Sequence, residues 1–177
     1  MPSPIGHVLG GMAGGWLIGG GSSVSRTTSP WADAAVFGIV GALADIDFLL
    51  GIHSQYTHSL GACGVVFAAT LVWLRGSVRL ALAATAAYGS HLLLDWLGHD
   101  GAPPIGIMAL WPFTSTFYQS DLHWFMAISR RYWLSGFWPH NLHAVAHEIA
   151  ILGPITGLIW WWRARPNPSP PFHFRNH

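Results

Sequence analysis

Lysine is missing from this chain of 177 residues: all 8 basic residues are arginines. Charged side chains make up 8% of it, about a third of the share in an ordinary soluble domain. A soluble enzyme of this length needs a charged surface that this chain does not have. The net charge is +1 with histidine neutral, so there is no basic face for a polyanion and no nucleic-acid partner is expected. One cysteine, Cys63, excludes an internal disulfide and a zinc–thiolate knuckle; within Gly-Ala-Cys-Gly it reads as an inert packed thiol. The amino terminus lacks the positive flank of a secretory signal, so the first apolar stretch is expected to be retained.

What is present is apolar. Hydrophobic residues make up 51% of the chain, with 21 glycines, 11 tryptophans and 11 histidines. That excludes disorder for most of the length and predicts an all-α, polytopic membrane bundle of about five helices. The expected spans are 6–20, 32–50, 59–74, 79–97 and 142–162. The first is glycine-rich, which lets helices approach closely, and a polar turn follows it at 21–31. Between 98 and 141 the mixture of Gly, Pro and aromatic residues predicts a partly helical excursion at the membrane interface. Residues 1–165 form one embedded domain, and 166–177 a Pro-rich disordered tail.

Ionisable groups inside apolar segments cost roughly 2.5–3.5 kcal/mol each at a helix centre, so they suggest function. His91 and Asp95 lie four apart, on one face of a helix, where an imidazole and a carboxylate can meet one cation. His143 and His147 repeat that spacing at the start of the last span. Asp45 and Asp47 are two apart, about 200° round a regular helix, so both face one site only if the helix loosens there. His58 opens the third span and His7 the first. Asp33, Asp121, His123, His173 and His177 read as ordinary interfacial or hydrogen-bonded groups. Imidazoles and carboxylates without a thiolate suit zinc or another divalent transition metal.

In order along the chain stand His7-Val-Leu-Gly-Gly, Ala-Asp45-Ile-Asp47-Phe, Thr57-His58-Ser59-Leu60, His91-Leu-Leu-Leu-Asp95-Trp and Leu110-Trp-Pro-Phe113. Over residues 5–115 this resembles the inner-membrane-associated metal-dependent hydrolases, a family also described as LexA-binding. That family is distantly similar to the all-α zinc-dependent phospholipase C and nuclease superfamily. Its ligands run His, Asp, His, His-x-x-x-Asp, His, His-x-x-x-Glu. The resemblance implies His7 as first ligand, Asp45 or Asp47 as second, His58 as third, His91 and Asp95 as the pair, and His99 as the next histidine. At the last pair the chain departs: His143 and His147 stand there, and Glu148 comes one residue late.

The resemblance implies phosphoester hydrolysis by a metal-activated water, with Asp45 or Asp47 as general base. Arg130 and Arg131 are distant helpers, and membrane lipids are the partners or the source of substrate. The competing expectation is a non-enzymatic protein that holds or transports a metal. Transport calls for polar groups at several depths, hydrolysis for one cluster at one depth. If the five spans cross, Arg26, Arg75, Arg79, Arg163, Arg165 and Arg175 fall on one side and only Arg130 and Arg131 on the other. Arginine excess marks the cytoplasmic face. The protein is therefore expected in the inner membrane, with its candidate ligands at the non-cytoplasmic ends of the spans.

Overall fold

A computed structural model describes residues 1–20, 29–50, 53–101 and 103–165. The tail at 166–177 and most of the polar turn at 21–31 lie outside the described residues. Within them the chain is all-helical, with α1 (Pro4–Gly19), α2 (Pro30–Ala42), α3 (Leu60–Trp73), α4 (Val78–Leu97) and α5 (Phe137–Ala164). Two starts are set by serine caps. The Ser3 hydroxyl accepts from the Gly6 amide at 3.2 Å with Pro4 following it, and the Ser59 hydroxyl accepts from the Ala62 amide at 3.1 Å. Both satisfy amides that a first turn leaves without partners.

The second apolar stretch is not one helix. After Ala42 the backbone tightens into a 3-10 segment, Leu43–Leu50. At three residues per turn, Asp45 and Asp47 come to about 120° apart rather than about 160°. The expectation was a loosened helix; tightening does the same work.

α1 is the centre of the bundle and packs on α2, α4 and α5. Its glycines make this possible. A methyl group at Gly11 would lie 2.6 Å from the Gly41 Cα and 2.4 Å from the Phe37 carbonyl oxygen, and one at Gly15 would lie 2.3 Å from the Phe37 ring. Backbones touch at this crossing, and Phe37 fills the space above it with Trp16, Ala34, Ala83 and Ala87. Asp33, expected as an interfacial or hydrogen-bonded group, is buried and paired with Arg163 at 2.7 Å. That pair ties the start of α2 to the end of α5.

Residues 98–136 contain no helix among those described, so the helical part of the expected excursion at 98–141 is only its end, 137–141, which is the start of α5. The segment is pinned to the end of α4: His99 donates its amide to the Phe125 carbonyl, and the Trp124 amide reaches Leu97, each at 2.8 Å. Phe113, Trp124, Tyr132, Trp133 and Trp138 are exposed along it and at the start of α5, the rings favoured at a membrane interface.

Among the described residues α5 is the one helix both long and apolar enough to cross a membrane, over 28 residues. α1, α2 and α3 have 16, 13 and 14 residues. At 1.5 Å per residue these reach about 24, 20 and 21 Å, short of a hydrocarbon core of about 30 Å. The expectation of five full crossings does not follow from the helices themselves.

Candidate metal centre

Antiparallel packing brings the start of α1, the 3-10 segment after α2, the loop before α3 and the end of α4 to one end of the bundle. His91 and Asp95 project from one face of α4, both buried. The Nε2 atom of His91 is 3.2 Å from Oδ2 of Asp95. His58, fully buried in the loop before α3, places Nε2 3.3 Å from the same oxygen and 3.1 Å from Nε2 of His91. Oδ1 of Asp45 is 3.6 Å from His91 Nε2 and 3.8 Å from His58 Nε2. His7, one turn into α1, stacks on His91 with ring centroids 3.6 Å apart, and its Nε2 lies 3.4 Å from Oδ1 of Asp95.

The orientation of these rings is fixed from behind. The far nitrogen of His91, Nδ1, donates to the Gly41 carbonyl at 2.8 Å, which leaves Nε2 as a lone pair aimed inward. Asp47 performs this service for two rings: it receives Nδ1 of His58 at 3.1 Å and Nδ1 of His53 at 2.9 Å. The Thr57 hydroxyl (2.7 Å) and the Ser54 amide (3.2 Å) complete its shell. Asp47 is thus a buried brace behind the cluster. Carboxylates hydrogen-bonded to the outer nitrogen of a ligating histidine set its tautomer and raise its basicity.

Two observations test whether a divalent metal fits these residues. Both oxygens of Asp95 are buried without a hydrogen-bond partner, although three imidazole nitrogens surround them. A buried carboxylate is costly unless a cation, proton or metal, sits beside it, and three imidazole nitrogens converging on one carboxylate describe a ligand set. Spacing agrees. Two ligands about 2.05 Å from a tetrahedral zinc stand about 3.3 Å apart; the three contacts among His58, His91 and Asp95 run from 3.1 to 3.3 Å. Two groups of side chains could hold an ion, His7 with His91 and Asp95, and Asp45 with His53 and His58.

Without a metal the proton takes its place. Burial alone would lower the pKa of His58, but Asp45, Asp47 and Asp95 around it push it up to about 11.

Six expected residues therefore meet: His7, Asp45, Asp47, His58, His91 and Asp95. His99, His143 and His147 do not join them. His99 is exposed and its ring lies against His123 at 5.0 Å. His143 is exposed and His147 half-buried, and neither belongs to the buried stripe of α5, Ala144, Glu148, Leu152 and Thr156. Glu148 is the inward carboxylate. It receives the Ser3 amide at 2.8 Å and the Ser3 hydroxyl, so it bonds to the cap of α1. His53 was not anticipated: it sits in an irregular loop where no helical spacing points to it, and only its distance to Asp47 reveals it.

The cluster is open on one side. A cavity of about 410 Å³ is bounded by Met1, Pro2, Asp45, Phe48, His53 and the strip 127–131. Asp45 keeps 23% side-chain exposure, whereas Asp47 and Asp95 keep 3% and none. Asp45 is the carboxylate at which solvent and cluster meet.

The model of the YdjM inner membrane protein family matches residues 1–166. The chain belongs to that family. Among curated proteins and solved structures nothing matches it.

Proposed function

We propose that the protein is a membrane-embedded, metal-dependent hydrolase of phosphoesters. The observation that carries this reading is Asp95, a fully buried carboxylate on which three imidazole nitrogens converge at 3.2–3.4 Å. The donor set of nitrogen and oxygen without sulfur suits zinc.

A bound divalent ion supplies an acidified water and neutralises charge on a phosphoryl group. His58, His91 and Asp95 would hold it, with His7 and His53 near enough to contribute. Asp45 faces the cavity and accepts the proton of the attacking water as general base. Asp47 keeps His58 in the tautomer that leaves Nε2 free, and it holds His53 with Nε2 against the Met1 sulfur at 3.0 Å. One cluster at one end of the bundle, with an open side, supports hydrolysis over transport, which calls for ligands at several depths. The apolar helices and the exposed aromatic rings favour a multi-pass protein whose site lies in the headgroup zone at the non-cytoplasmic face.

The test is elemental analysis of the purified full chain, followed by a phosphomonoester and phosphodiester panel with and without chelator. Activity lost to chelator and restored by zinc is expected, with His91→Ala slower by on the order of 100-fold or more yet still inserted in the membrane. Bound metal without turnover would favour the storage or transport reading. Turnover of His91→Ala at the wild-type rate would overturn the assignment.

A further inference from the structure

The cavity beside Asp45 and His53 has a second charged wall. Arg130 and Arg131 line it, and both are exposed. Asp100 lines the same cavity and accepts the Gly106 amide at 3.1 Å, while the close pair of Arg163 with Asp33 lies at the other end of the bundle. Arg130 lies 4.2 Å over the ring of Phe48, and Phe48 stacks on His53 at 3.7 Å. One aromatic ring therefore links the guanidinium to the cluster.

The strip that carries these arginines is held in place. Asn141 of α5 takes the Ser129 amide at 2.8 Å and returns a bond to the Ser129 carbonyl at 2.9 Å. His140 donates to the Ala127 carbonyl at 2.7 Å, and the Ile128 amide reaches the Met1 carbonyl at 3.1 Å. Arg131 also borders a neighbouring recess of about 510 Å³ walled by Leu134 and Phe137. Tyr132, Trp133 and Trp138, close by in sequence, are exposed.

We propose that this cavity is a phosphate-recognition subsite, in which Arg130 and Arg131 grip a phosphate group and present it to Asp45 and His53. Guanidinium groups match phosphate oxygens in charge and in fork geometry. The wall opposite them is the open side of the ligand cluster, so an anion held by the arginines lies between two sources of positive charge when a metal is bound. The phosphate can come from a lipid headgroup or from a soluble ester. The recess and the exposed rings give a lipid somewhere to lay its apolar part. The inference deepens the hydrolase reading and rests on it only for what the phosphate is presented to.

The experiment is binding, not turnover. Full-length protein in neutral detergent is titrated with inorganic phosphate and, separately, with dihexanoyl phosphatidic acid, once as purified and once with chelator. Metal content is measured on every sample. Wild type is expected to bind at least one probe, and Arg130→Gln/Arg131→Gln to weaken that binding by about tenfold or more while keeping its metal content. Arg130→Lys/Arg131→Lys should retain part of the affinity and reports that the fold is intact. Equal affinity for both probes identifies a soluble ester, and tighter binding of the amphiphile, reduced by Trp133→Ala, identifies a lipid headgroup. Affinity that survives the glutamine substitutions, or no wild-type binding of either probe, overturns the subsite. Arginine-dependent binding that persists in protein without metal upholds it while the metal reading fails.

Discussion

The Nδ1–H of His91 donates to the Gly41 carbonyl at 2.8 Å, and Gly41 is also where α2 touches α1. One residue sets both the helix crossing and the tautomer of a central ligand. A methyl group at Gly41 would stand 2.5 Å from the His7 carbonyl oxygen and 2.6 Å from the Gly11 Cα. Backbone must move to admit it, and with it the ring that Gly41 holds.

Gly41→Ala is therefore expected to destabilise the protein by about 1–3 kcal/mol, the usual cost of overpacking, and to lower metal occupancy. Gly64, on α3, has open space around its Cβ position. Gly64→Ala should leave the metal unchanged and raise stability slightly, since glycine in a helix interior costs roughly 0.5–1 kcal/mol relative to alanine. Denaturant unfolding of both variants with parallel elemental analysis checks the contrast. Equal effects would mean that the close approach at Gly41 is not what positions His91.

Metal occupancy sorts the nine histidine and aspartate candidates. Asp95→Ala and His58→Ala are expected to lose the metal, with affinity reduced at least 100-fold, because each removes a direct ligand. His99→Ala and His143→Ala should bind as wild type, since both rings are exposed and away from the cluster. Competition with a chromogenic chelator gives the affinities. A loss at His143 equal to that at Asp95 would mean that α5 closes over the site in solution.

His58 gives the pH dependence a sign. In the metal-free protein its three carboxylate neighbours hold its pKa at about 11, above the ordinary value near 6.5. Its protonated form stabilises the metal-free fold fully below about pH 6.5, and that contribution is lost as pH rises through the folded value. A ligating imidazole must be neutral, so loading displaces this proton. At about pH 8 an ordinary histidine would release almost nothing, whereas here about one proton should leave per metal bound. Calorimetry in two buffers of different ionisation enthalpy measures it. No release would show that His58 and the carboxylates around it carry no displaceable proton at this pH, and would overturn the raised value for His58.

Much of this centre was legible in the sequence because it uses helical spacing. His91 and Asp95 announce themselves as an i,i+4 pair, and the apolar surroundings make each ionisable group expensive enough to need a reason. The second pair with that spacing, His143 and His147, misleads for the same cause: period alone does not say which face is inside. Glu148 shows which face is inward, through a buried bond to Ser3 that lies 145 residues away in sequence. His53 and the bracing role of Asp47 depend on a loop and a 3-10 turn, where no period operates. The helix boundaries were readable to within a few residues at α3 and α4. The break after Ala42 and the early start of α5 were not, because burial and tertiary bonds decide where those helices begin and end.

The last expectation concerns orientation in the membrane. In the structure the described arginines of the larger group lie at the end of the bundle away from the site: Arg75 just after α3, Arg79 in the first turn of α4, Arg163 in the last turn of α5 and Arg165 just beyond it. Arg79 reaches the Ile18 carbonyl near the end of α1, and Arg163 pairs with Asp33 at the start of α2. Of the described arginines, Arg130 and Arg131 stand at the site end. Arginine-rich ends stay in the cytoplasm because they resist translocation, and the rule counts short connections such as the one between α3 and α4 most reliably. The carboxyl terminus is therefore expected inside and the metal centre outside, in the outer-leaflet headgroup zone, where a phosphate-bearing lipid would meet Arg130, Arg131 and the exposed rings beside them. A pair of reporters fused at the carboxyl terminus, one active only in the cytoplasm and one only outside, decides it. Signal from the cytoplasmic reporter alone is the expected result. Signal from the outer reporter alone would turn the bundle over and move the centre, with any substrate it takes, to the cytoplasmic leaflet.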